Sequence, residues 1–146
     1  MKQDRATNDD LLSDPSELLR DFLRDNVSSY EELEALLFLA RNPDRDWSAA
    51  EVANALKAAV DIIKDALETL RARDRMVVGG SRAGVVVYRY ACSDPSLEKR
   101  LDELRRAYEE ERLSVVQMMT GNALDRVRRA AVLRLADAFR LETGKK

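Results

Sequence analysis

The residue types that most often do chemistry are scarce in this chain, and their scarcity decides what it is not. There is no histidine and a single cysteine, Cys92. That excludes His/Cys zinc sites, Ser–His and Cys–His nucleophilic pairs, and any disulfide within the chain. At a strand end, Cys92 reads as a small buried apolar residue rather than a redox switch. Carboxylates are plentiful, but they sit among Arg and Lys at helical spacing, which is the pattern of a solvated, ion-paired surface. The Gly79–Gly84 run, GGSRAG, lacks the lysine followed by Ser/Thr with which a P-loop cradles phosphate. No catalytic set, metal or cofactor is expected, and the sequence points to binding rather than to an enzyme.

The elements that would carry a binding surface follow from caps, periodicity and turn residues. With 146 residues, one domain and an appendage are expected, and 45% hydrophobic content can supply a core. Residues 1–12 are polar and acidic and predict a flexible tail. Asp14-Pro15-Ser16-Glu17 predicts a capped helix start, followed by Leu18, Leu19, Phe22 and Leu23 at helical spacing. Ser28 or Ser29 opens the next helix, with Leu33, Leu36, Leu37 and Ala40 on its apolar face, widened by Phe38 and Leu39. Pro43 ends it. Trp47 follows in a short extended link. Ser48 and Glu51 have capping-box spacing for a helix with Val52, Ala55 and Leu56 inward. A turn at Lys57–Ala59, marked by neither Gly nor Pro, leads into a helix over Ala58–Asp74 with Val60, Ile63, Leu67 and Leu70 on its buried stripe. Met76–Val78 and Val85–Tyr90 predict two strands joined by the glycine-rich Gly79–Gly84 connection.

This order of helix, link, helix, helix and hairpin, over Tyr30–Tyr90, resembles a winged helix-turn-helix domain of the kind found in bacterial transcription regulators. The fold expected is therefore mainly α with a small β-hairpin, in a winged-helix domain spanning 13–92 and a C-terminal helical region spanning 93–146. The resemblance implies binding of double-stranded DNA, with the Ala58–Asp74 helix in the major groove and the hairpin tip on backbone or minor groove. It implies phosphate contacts from Lys57, Lys64, Arg71, Arg75, Arg82 and Arg89. Of these, Arg82 stands between glycines with no acid nearby in sequence. The outward face of the helix carries Asp61, Ile62, Lys64, Asp65, Glu68 and Arg71. Asp65 stands where an arginine or polar residue is common in such domains. Acids and an isoleucine favour a protein partner, at this helix or at the last one, so a winged-helix interaction module without DNA binding is the alternative function.

Beyond the hairpin, Ser93-Asp94-Pro95 opens a long helical region. Leu97, Leu101, Leu104, Tyr108, Glu111, Val115 and Met118 alternate steps of four and three, with Glu111 the one polar member. The seam predicts a homodimer through Leu97, Leu101, Leu104, Tyr108, Val115 and Met118, or else packing within the chain. Gly121-Asn122 is expected to interrupt the helix. A last helix from Ala123 to Leu141 sets Leu124, Val127, Ala131, Leu135 and Ala138 on one face. From Gly121 to Lys146, seven basic residues (Arg126, Arg128, Arg129, Arg134, Arg140, Lys145, Lys146) face three acids (Asp125, Asp137, Glu142). This stripe is a solvated helix face or a contact for phosphates or an acidic partner. Membrane binding is not expected, because the apolar face is rich in alanine. No signal-peptide run opens the sequence and no stretch reaches the ~20 apolar residues of a membrane span, so a cytoplasmic location is expected.

Overall fold

The computed structural model describes residues 15–144. The expected tail over 1–12, the Asp14 cap, and Lys145 and Lys146 lie outside the described residues. Among the described residues, six helices and three short strands follow one another: α1 (Pro15–Asn26), α2 (Tyr30–Arg41), β1 (Trp47–Ser48), α3 (Ala49–Leu56), α4 (Val60–Arg73), β2 (Val77–Arg82), β3 (Val85–Tyr90), α5 (Pro95–Glu110) and α6 (Arg112–Gly144). The strands form one antiparallel sheet in the order β1-β3-β2. Helix–turn–helix plus a three-stranded wing is the winged-helix architecture, mainly α as the sequence predicts.

Local chemistry explains most boundaries. Ser29 caps α2 by accepting the Glu32 N–H, while the Glu32 carboxylate accepts from the Ser28 N–H and hydroxyl. The Ser48/Glu51 capping box starts α3 as spaced. Trp47 pairs with Tyr88 in the sheet, stacks edge-on against Phe38 at 4.8 Å, and donates from Nε1 to the Asn42 carbonyl. The unmarked turn after α3 is a Schellman turn. Lys57 takes a left-handed conformation (φ 57°), with its N–H on the Asn54 carbonyl and the Ala58 N–H on the Ala53 carbonyl. Without a glycine, that conformation costs roughly 1–2 kcal/mol.

Three local expectations are corrected. Ala53, not Ala55, joins Val52 inside α3, and Val60 is exposed, so the buried stripe of α4 is Ile63, Ala66, Leu67 and Leu70. The connection of the hairpin is not Gly79–Gly84. Strand β2 runs through Gly79, Gly80, Ser81 and Arg82, and the turn is Ala83-Gly84 alone, with φ of 53° and 81°. Two left-handed residues make the turn whose twist suits a two-residue hairpin. Gly79 has a different duty, since a Cβ there would lie 2.4 Å from the Arg71 Cδ.

The largest correction is in the C-terminal helices. The expected helix over Pro95–Met119 breaks at Glu111, the polar member of the heptad, where the backbone leaves helical geometry (φ −140°, ψ 62°). Gly121-Asn122 does not interrupt anything: α6 runs through it, and buried Asn122 donates from Nδ2 to the Arg20 carbonyl at 3.1 Å. Leu101, Leu104, Tyr108 and Val115 enter the same core as Leu23, Leu36, Leu67 and Tyr88, with Leu97 and Met118 packed against it. The seam predicted to face a second chain therefore fills the interior of this one. From Ala123 to Phe139 every side chain of α6 is exposed, including the predicted face of Leu124, Val127, Ala131, Leu135 and Ala138.

Candidate nucleic-acid interface

Helix α4 lies with one stripe in the core, so its opposite side looks outward. At 100° per residue the stripe of Ile63, Ala66, Leu67 and Leu70 sets Asp61 and Asp65 on the far side. Lys64, Glu68 and Arg71 lean towards the wing, and Ile62 and Thr69 towards the start of α2. No side chain caps the start of α4 at Ala59.

The wing is fastened on both faces. On one, Tyr88 donates to Glu68 Oε2 at 2.5 Å and Arg71 lies 2.7 Å from Glu68 Oε1, tying α4 to the sheet. Arg71 and then Tyr88 hold the Glu68 carboxyl below its ordinary range, while burial first and Glu68 second push the Tyr88 phenol up. On the other face, Arg82 Nη2 lies 3.1 Å from Glu51 Oε1 and its Nη1 donates to the Asp46 carbonyl at 3.1 Å. Arg89 meets the Asp46 carboxylate at 3.1 Å, and Arg45 meets Glu51 at 3.0 Å while lying over the Trp47 ring at 3.9 Å. The Ser48 N–H foremost, then Arg82 and Arg45, pull the Glu51 carboxyl down to about 2.

The six predicted phosphate contacts thus divide. Arg71, Arg82 and Arg89 are each paired with a carboxylate. Lys57, at the turn before α4, Lys64 on α4 and Arg75 just after it are exposed and make no ion pair among the described residues. The expectation that Arg82 has no acid near it is corrected, because Glu51 is brought to it from the start of α3. Sequence spacing shows the Ser48–Glu51 cap but not that the capping oxygen, Glu51 Oε1, also meets Arg82 while Oε2 meets Arg45. The same holds for Arg73, which crosses to buried Glu32 at 2.7 Å and to the Asn26 carbonyl at 2.9 Å. Burial pushes Glu32 up, but hydrogen bonds from Ser28 and Arg73 more than offset it and leave the carboxyl lowered.

A second node joins the winged helix to the C-terminal helices. Arg112, the first residue of α6, lies over the rings of Tyr108 at 4.8 Å and Tyr30 at 5.7 Å. It meets Glu34 at 3.1 Å, and Glu34 also accepts from the Tyr108 hydroxyl. No group of three or more His, Cys, Asp and Glu among the described residues is placed to hold a metal ion. No described helix is long and apolar enough to cross a membrane.

A helix-turn-helix with an outward second helix and a wing beside it defines the class, a winged-helix protein. Among solved structures, the chain is similar to the adhesin competence repressor AdcR from Streptococcus pyogenes (16% identity, 99% of this chain and 93% of that one, TM-score 0.46). It is similar to MepR, a transcription regulator of the Staphylococcus aureus multidrug efflux pump MepA (12% identity, 91% and 97%, TM-score 0.48). It is also similar to a MarR family protein from Bacillus stearothermophilus (16% identity, 93% and 98%, TM-score 0.45). No family model matches the chain, and no curated protein matches it.

Proposed function

We propose that this protein is a homodimeric DNA-binding regulator of transcription. The observation that carries the proposal is the outward side of α4 flanked by three cations with no ion pair, Lys57, Lys64 and Arg75, beside a fastened wing. Unpaired cations replace counterions on phosphate without first giving up an internal partner. The dimer is supplied by the outer half of α6. That segment exposes Leu124, Val127, Ala131 and Leu135 on one face, and a helix bearing such a face is covered by a second element. A second copy of the same segment would place two α4 helices on one assembly, as paired half-sites require.

Retardation of mixed genomic duplexes at about 50 mM salt, where non-specific binding is strong, tests the reading. Binding should weaken steeply with salt. Lys64→Ala and Lys57→Ala should each reduce the salt slope by about one per protomer. Arg82→Ala should reduce it less, because its guanidinium already has Glu51. The interaction-module reading is favoured by one observation, that Asp61 and Asp65 make no ion pair among the described residues. It replaces the DNA reading if the wild-type protein leaves every duplex unretarded at low salt.

A further inference from the structure

Resting on the DNA reading, we propose that α4 reads a thymine methyl with Ile62 and, on the neighbouring base pair, an exocyclic amino group of cytosine or adenine with Asp65. Asp65 lies on the side of α4 away from the core, and Ile62 on the adjoining flank that leans towards the start of α2. Ile62 is half exposed, and Asp65 is exposed with no ion pair among the described residues. They are three residues apart, and helical residues three apart reach successive base pairs in the major groove.

Among the described residues, the Asp65 carboxylate makes no ion pair and accepts no hydrogen bond, unlike the acids that tie the fold together. Glu51 caps α3 and holds Arg82 and Arg45, Glu68 holds Tyr88 and Arg71, and Glu32 holds Arg73. Asp61 lies in the first turn of α4, where the helix dipole favours a negative charge. Asp65 lies beyond that turn, and one helical turn from Asp61 it adds like-charge repulsion within the helix. Near phosphates that charge is costly, so a carboxylate facing DNA must be matched there. A carboxylate only accepts hydrogen bonds. In the major groove the donors are cytosine N4 and adenine N6, whereas guanine N7 and O6 and thymine O4 are acceptors and repel it. The C5-methyl of thymine is the apolar group on the same floor, and it suits Ile62. The pair therefore selects a thymine next to an amino-bearing base and rejects guanine at the Asp65 position.

A randomised duplex pool, selected with the full-length protein and then measured by fluorescence anisotropy, tests this. The selected duplexes should carry thymine beside cytosine or adenine. Replacing that thymine by deoxyuridine removes only the methyl. It should weaken wild-type binding roughly four-fold, the worth of one buried methyl group, and leave Ile62→Ala unaffected. Asp65→Asn should bind random duplexes more tightly, and its preference against guanine should fall about tenfold, the scale of one good base contact. Binding with no selection from the pool overturns the inference and leaves the DNA reading standing. So does an unchanged affinity on removal of every thymine methyl, or an unchanged base preference in Asp65→Asn. No binding to any duplex at low salt overturns both.

Discussion

The parts of α6 before and after Gly121 both carry apolar residues at helical spacing and meet opposite fates. Before Gly121 the helix sends Val115 into the core against α5 and packs Met118 against the same cluster. After it, Val127 is 63% exposed and Leu135 61%. The apolar spacing alone does not separate the halves. What separates them is reach: a helix of 33 residues is about 50 Å long, more than the rest of this small domain can cover. The inner part is built into the fold, and the outer part is exposed surface, which the proposed dimer would cover.

Truncation in the inner region should therefore have the largest effect. Leu104 is fully buried on α5 among residues of the core, and Leu104→Ala should cost about 2–5 kcal/mol in urea titrations. Val127→Asp, in the outer half, should leave the helical circular dichroism of the folded chain intact, because the new charge faces water. It should instead convert a dimer to a monomer in sedimentation velocity, by burying an unpaired charge at the proposed interface. A Val127→Asp protein that stays dimeric, or a Leu104→Ala protein that unfolds no more readily than wild type, would erase the distinction between the buried region, α5 with the start of α6, and the exposed end of α6.

A smaller effect concerns the charged clamp at the wing. Glu51 is held at about 2, against an ordinary value of 4.5, first by the Ser48 N–H and then by Arg82 and Arg45. A folded value below the unfolded one stabilises the protein above the unfolded value, and that stabilisation is lost as pH falls from about 4.5 towards about 2. Glu51→Gln keeps an acceptor for the Ser48 N–H and removes the charge. It should flatten the acid-unfolding curve within that window and leave stability above it only slightly reduced. An identical acid transition in wild type and variant would show that Arg82 and Arg45 do not engage Glu51 in solution.

How much of this was legible depended on distance along the chain. The Ser48/Glu51 cap, the α4 stripe apart from Val60, and the paired strands are set by residues a few positions apart, and the sequence shows them. The turn at Ala83-Gly84 was obscured because glycine has two uses. At Gly84 it supplies a positive φ, and at Gly79 it makes room for Arg71, so a glycine-rich run looked like one connection. The Glu51–Arg82 and Glu34–Arg112 pairs join residues far apart in sequence, and no periodicity reports them. The break at Glu111 was half visible, as the polar member of an apolar seam. A heptad pattern specifies a buried stripe without saying which chain buries it.

The smallest effect bears on the border between the two halves. Gly121 lies within α6, and a Cβ built there has nothing within 4 Å. Glycine in a helix interior costs roughly 0.5–1 kcal/mol relative to alanine. If Gly121 is simply an interior residue of a continuous helix, Gly121→Ala should raise stability by about that amount and leave the dimer unchanged. The cavity of about 530 Å³ beside it, lined by Arg20, Met118, Leu124 and Arg128 among others, opens onto the outer half. If a second chain enters that cavity, the missing Cβ is what admits its backbone. Gly121→Ala would then stabilise the chain in urea while weakening association in sedimentation equilibrium. A gain in both measurements places the partner farther out along α6, and a loss of stability with no change in association shows that the helix is not continuous through Gly121 in solution.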